Sequence, residues 1–157
     1  MFDHILVCFD NSEPSKRAIE KAVDLALACK ASLEVIKVVP SEKEDSHPGF
    51  ENASKQAGVV NDQDVVAEND LEYKNAQTSD LEQATSELLR PARDAGMDIE
   101  QVVIAGNPKE DLAKYVNEGN YDLVVMGRRG LGAVSGLIGS VSQRVLWDVE
   151  IPVMLVR

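Results

Sequence analysis

The stretch with the most obvious chemistry is GRRGLGAVSGLIGSVSQRV, Gly127 to Val145, directly behind the apolar run Leu123-Val124-Val125-Met126. Five of the chain's ten glycines fall in it: Gly127, Gly130, Gly132, Gly136 and Gly139. A glycine has no Cβ, so its backbone N–H can approach an anion closely and its φ can turn positive. A helical pattern opens near Ser140, and the first turn of a helix carries unpaired N–H groups and a partial positive charge. Ser140 and Ser142 add hydroxyls, and Arg128 and Arg129 add cations. Together these are the parts of a phosphate cradle. The spacing alone does not decide it. No lysine precedes Ser140 as a P-loop requires, and Gly130 and Gly132 are followed by Gly136, one residue too far for G-x-G-x-x-G. A surface loop, or glycines needed for close packing, remains open on this reading.

The charge excludes other ligands. A net charge of −11 argues against nucleic acid and anionic membranes, whose binding needs clustered Lys and Arg. Residues 41–80 carry ten acids against three lysines, whereas Arg128, Arg129 and Arg144 meet no acid before Asp148. A local positive site on an acidic body suits a small anion. No apolar run approaches the ~20 residues that cross a bilayer, and Met1-Phe2-Asp3-His4 lacks the basic start of a signal peptide. Cys8 and Cys29 have neither metal spacing nor a C-x-x-C pattern, so buried thiols in a reducing cytoplasm are expected. His4 and His47 have no catalytic partners nearby in sequence, and no Ser–His–Asp set or S-G-G-x-D-S loop marks an enzyme. Nothing marks a dedicated base, and slow hydrolysis of a bound phosphate is the most enzymatic activity this pattern suggests.

The elements that position the glycine stretch alternate. His4–Phe9 reads as a buried strand, followed by Ser12 as cap and Pro14 in the first turn of a helix whose stripe is Ile19, Ala22, Val23, Ala26 and Leu27. Leu33–Val39 is a second strand, stopped by Pro40. Residues 41–78 are polar and weakly periodic and read as an acidic loop or insertion, with at most a short helix. Ser79-Asp80-Leu81-Glu82 has the form of a capping box, and Pro91 should kink or break the helix behind it near Leu89. Ile99–Ala105 is a third strand, Asn107 and Pro108 open a helix ending at Gly119, and Tyr121–Met126 is a fourth strand. Ser140–Val149 is helix, with Trp147 a packing or interface residue, and Ile151–Val156 is a fifth strand, which Pro152 places at an edge or makes late to pair. Apolar strands alternating with helices define an open parallel α/β sheet covered on both faces, in one domain spanning 1–157.

Over nearly its whole length the chain resembles the universal stress proteins. The opening strand with Asp10, the Gly106-Asn107-Pro108 turn and the closing Ile151–Val156 strand carry the likeness. Most specific are Gly127, Gly130, Gly139 and Ser140, which resemble the G-x2-G-x9-G-[ST] signature of that family's ATP-binding branch, with eight residues in place of nine between Gly130 and Gly139. The resemblance implies a Rossmann-like fold with strand order 3-2-1-4-5, which sets Asp10 and Gly127 beside one crevice. It implies that Asp10 accepts a hydrogen bond from adenine, against the alternative that its carboxylate serves the turn before the helix. Phe9, Val38 and Met126 would line the base pocket, unless they are simply core. Gly127, Arg129 and Gly130 would follow ribose and phosphates, and Gly139, Ser140, Val141 and Ser142 would hold the phosphates. The ligand would be ATP or AMP, with Mg²⁺ entering only through the phosphates. A homodimer through Ile151–Val156 and a regulatory protein partner are also implied. The competing reading is the family's other branch, a dimeric interaction module that binds no nucleotide.

Overall fold

The computed structural model describes residues 1–41, 62–128 and 138–157. In chain order its elements are β1 (His4–Cys8), α1 (Glu13–Cys29), β2 (Ser32–Val39), α2 (Asp62–Asp94), β3 (Ile99–Ala105), α3 (Pro108–Glu118), β4 (Leu123–Gly127), α4 (Ser140–Asp148) and β5 (Val153–Val156). The strands form one parallel sheet in the expected order β3-β2-β1-β4-β5. The order reverses between β1 and β4, which pair from Ile5↔Leu123 to Cys8↔Met126.

Alternation along each strand divides the core in two. Ile5, Val7, Phe9, Leu33, Val35, Leu123 and Val125 face α1 and α2. Leu6, Cys8, Ile36, Val124 and Met126 face the other way, against Leu112 and Val116 of α3 and Val145 of α4. Each fully buried aliphatic side chain contributes roughly 1.5–3 kcal/mol, so this double burial is what fixes the sheet. α1 starts as its sequence suggests: Ser12 Oγ accepts from Ser15 N–H at 3.3 Å, with Pro14 in the first turn. Its buried stripe is Ser15, Ala18, Ile19, Ala22, Val23 and Ala26, while Leu27 turns outward. α3 likewise starts at the expected cap, Asn107 Oδ1 accepting from Lys109 N–H at 3.0 Å.

Three expectations are corrected. Part of the stretch expected to be loop, from Asp62 to Thr78, is helix, and Ser79-Asp80-Leu81-Glu82 lies inside α2 rather than at its start. Over residues 71–78 only Tyr73 packs an apolar side chain against the core, and Leu71 stays exposed, so no periodic stripe marked the helix. Pro91 does not end α2, which runs on to Asp94. An interior proline costs ~3 kcal/mol, whereas the fully buried Leu81 and Leu89 together contribute roughly 3–6 kcal/mol through the same helix face. Trp147 is 80% exposed, so of its two readings packing within the chain is overturned and the interface reading stands open. Pro152 acts as its position suggests: β5 is an edge strand that begins at Val153, although the Pro152 carbonyl already accepts from Val124 N–H at 3.0 Å. Residues 42–61 of the acidic stretch, His47 included, lie outside the described residues.

Candidate functional site

Two corners meet at the carboxyl end of the sheet. At the first, β1 leaves through Phe9 and Asp10 into α1. Asp10 Oδ1 accepts from both the N–H and the Oγ–H of Ser12, at 3.0 and 2.5 Å. Ser15 Oγ donates to the Ser12 carbonyl at 2.9 Å and accepts from Asp10 N–H at 3.4 Å. Asn11, at φ 64°, takes the left-handed conformation that an Asn tolerates. This corner thus satisfies itself, as the turn reading of Asp10 requires, while Asp10 Oδ2 has no partner among the described residues. Beneath it, burial first and then the Asp10 charge push the Cys8 thiol up to about 12, so it stays protonated at neutral pH.

At the second corner, β4 passes into the glycine stretch. Gly127 is buried, and a Cβ there would stand 2.9 Å from Pro14 Cβ and 3.0 Å from both Pro14 C and Ser15 N. Its missing side chain is therefore needed where the start of α1 crosses β4. The Gly127 carbonyl accepts from Ser142 Oγ at 2.9 Å, which spends the buried Ser142 hydroxyl proton on tying α4 to β4. Arg128 N–H donates to the Val156 carbonyl at 2.7 Å, and the Arg128 carbonyl accepts from Gly139 N–H at 2.9 Å. The two ends of the connection are thereby held together, although it is one residue shorter than the signature.

Gly139 is the N-cap of α4, at φ −62° and ψ 149°, with no side-chain hydrogen bond to the helix start. Those angles suit any residue, so backbone strain does not explain a glycine there. What the glycine does is leave the first-turn N–H groups without a side-chain cap of its own. Ser140 is exposed at that end, and Val141 is half-buried against the α3–α4 core.

The structure brings Asp10 and Gly127 to one corner through Pro14 and Ser15, but it separates the residues expected to line a base pocket. Phe9 belongs to the α1–α2 side of the sheet, whereas Val38 and Met126 belong to the α3–α4 side. Phe9 and Met126 are each only 4% exposed. Arg129 and Gly130 lie outside the described residues. Two charged residues of β2 were not singled out in the sequence, although each interrupts an apolar run. Glu34 accepts hydrogen bonds at 2.7 Å from Tyr115 Oη and from Tyr121 Oη, whose rings stack with centroids 6.1 Å apart. Burial, together with that carboxylate, raises both phenol pKa values. Lys37, on the opposite face, donates to Gln77 Oε1 at 2.8 Å.

An open parallel sheet whose reversal point carries a glycine-rich strand-to-helix connection defines a Rossmann-like α/β protein. The sequence profile of the Universal stress protein family matches residues 1–157, and the chain belongs to that family. It is similar to a universal stress protein of Thermus aquaticus, 33% identical over 159 residues and the full length of both chains. It is also similar to the stress response protein NhaX of Bacillus subtilis, 28% identical over 99% of this chain and 98% of that one. Among solved structures, the protein MJ0577 superposes with a TM-score of 0.72 at 22% identity, covering 99% of this chain and 96% of its own. A universal stress protein in complex with cAMP superposes at 0.62 with 25% identity, covering 99% and 97%. Among the described residues no helix is long and apolar enough to cross a membrane.

Proposed function

We propose that this chain is a cytoplasmic regulatory protein of the stress response that binds an adenine nucleotide, ATP or AMP, in the crevice between the β1–α1 and β4–α4 corners. One observation carries the reading. α4 begins at a glycine cap that supplies no side-chain hydrogen bond, at the carboxyl end of β4, on a connection whose two ends are clamped by Gly139 N–H and the Arg128 carbonyl. First-turn N–H groups that no side chain among the described residues caps are what a phosphate group requires. The related protein solved with cAMP supports an adenosine phosphate as the class of ligand.

In this reading the Ser140 hydroxyl and the N–H groups of Ser140, Val141 and Ser142 take the phosphates, while Gly139, whose N–H is held by the Arg128 carbonyl, lets them approach because it has no side chain. Asp10 Oδ2 takes the base, and Gly127, Arg129 and Gly130 follow the ribose and phosphates. Val38 and Met126 approach the base from the α3–α4 side, with Phe9 holding the floor from behind. Mg²⁺ would arrive with the phosphates, because no cluster of three His, Cys, Asp or Glu side chains able to hold a metal ion exists among the described residues. Two copies would pair through the β5 edge, around Ile151 to Val156, and a regulatory partner would read the bound form. The whole of 1–157 acts as one domain.

The test is to purify the protein without added nucleotide, denature it and identify what is released by chromatography and mass spectrometry. Stoichiometric ATP, ADP or AMP is expected. An empty protein that also shows no thermal shift with millimolar ATP and Mg²⁺ would overturn the proposal in favour of the nucleotide-free interaction module.

A further inference from the structure

A second recess, of about 270 Å³, opens between β1, β2 and α2, lined by Phe9, Asn11, Lys37, Asp80, Gln83 and Ala84. It lies on the α1–α2 side of the sheet, opposite Val38 and Met126, and meets the proposed nucleotide crevice only at Phe9, whose ring stands between the two. Lys37 gives it a chemical preference. It stands among Leu33, Val35 and Val39, the residues by which β2 packs on α1 and α2, and its side chain is half-buried. A half-buried ammonium has given up part of its water, which a carboxylate or several acceptors can replace. Among the described residues its one partner is a neutral amide, Gln77 Oε1 at 2.8 Å, and no carboxylate lies within ion-pair distance. Two of its three N–H donors thus have no partner among the described residues. Phe9 and Ala84 supply apolar wall, and the Asp80 carboxylate stands exposed at the rim.

We propose that this recess binds a small organic carboxylate, its carboxylate on Lys37 Nζ and its apolar part against Phe9. The volume is below that of pockets for drug-sized molecules, which run from roughly 300 Å³, and suits a ligand of amino-acid size. Asp80 separates two sources of that carboxylate. A zwitterionic amino acid would place its ammonium there, and a simple organic acid would not.

The experiment is calorimetric titration of the full chain with benzoate and, separately, with leucine. It is repeated on Lys37→Met, which keeps the unbranched stem but removes the charge, and on Asp80→Asn. Saturable millimolar binding of at least one probe is expected, weakened roughly tenfold or more in Lys37→Met. Thermal melts of each variant establish that it is folded. Weaker leucine binding in Asp80→Asn with benzoate unchanged assigns an amino acid, and equal effects on both assign a simple acid. Absence of saturable binding by either probe, or equal binding by wild type and a folded Lys37→Met, overturns the proposal. Nucleotide content is unaffected by these outcomes, so the two sites stand or fall separately.

Discussion

The two corners at the carboxyl end of the sheet solve the same local problem in opposite ways. Each joins a strand to the start of a helix, and each must deal with N–H groups that no helical carbonyl reaches. At the β1–α1 corner Ser12 caps the helix, Asp10 caps Ser12, and Ser15 closes the circuit. At the β4–α4 corner the cap is Gly139, which offers no side chain. The polar links there are the Gly139–Arg128 and Arg128–Val156 backbone bonds and the Ser142 hydroxyl on the Gly127 carbonyl, none of which caps the helix start. The first corner is finished within the chain, and at the second no side chain among the described residues caps the helix start. A ligand gains most where the protein has not already satisfied itself, which is why the phosphates are proposed to sit at the second corner.

The largest effect should come from destroying the contact that sets the corners together. Gly127→Ala places a Cβ 2.9 Å from Pro14 Cβ and 3.0 Å from two backbone atoms, and backbone does not yield as a flexible side-chain tip does. Overpacking of this kind destabilises by about 1–3 kcal/mol, to be read as a lower midpoint in urea unfolding. Nucleotide affinity should fall with it, because Gly127 also carries the Ser142 contact that seats α4. Next comes Gly139→Asp, which makes the open corner resemble the closed one. Its backbone angles admit the side chain, and a carboxylate cap should leave stability equal or a few tenths of a kcal/mol higher. The same carboxylate would occupy and repel the phosphate position, so ATP affinity should fall roughly tenfold or more by calorimetry. Stability and affinity moving in opposite directions is the expected signature. Unchanged affinity would remove the α4 N-terminus from the site.

What the sequence made legible was local. Strands β1 and β3, the caps Ser12 and Asn107, and the late edge strand behind Pro152 all announce themselves within a few residues. Residues 71–78 of α2 did not, because their packing rests on Tyr73 rather than on a repeating stripe. Of the two outcomes expected at Pro91, a break does not occur, because two buried leucines on the same helix outweigh the lost hydrogen bond. For the candidate site, Phe9, Val38 and Met126 could be named together only without knowing register. Once Cys8 pairs with Ile36, the two-residue period sends Phe9 and Val38 to opposite faces. Gly127 was ambiguous for a deeper reason, since a glycine needed for packing and one needed for a ligand are the same absence of a side chain.

Ser12→Ala opens the closed corner. The helix loses its cap and Asp10 loses one of its two donors, a change of about 1 kcal/mol. In a chain of this size that lowers the melting temperature by roughly 2–4 °C. ATP affinity should hardly change, because the phosphate corner is untouched. An affinity loss as large as that of Gly139→Asp would mean the corners act as one unit rather than as two.

The smallest effect tests whether the closed corner is closed completely. Asp10→Asn retains an oxygen that can accept from the Ser12 N–H and Oγ–H, so the unfolding free energy should stay within about 0.5 kcal/mol of wild type. What changes is the second oxygen, which becomes an amide donor. If Asp10 Oδ2 receives the amino group of adenine, the variant sets donor against donor, and ATP binding should weaken a few-fold. The preference for ATP over GTP should narrow at the same time, since the six-position oxygen of guanine accepts where the amino group of adenine donates. Competition calorimetry with the two nucleotides reads both numbers on one preparation. A variant with wild-type stability and wild-type preference would confine Asp10 to its turn, leaving the whole ligand to the open corner.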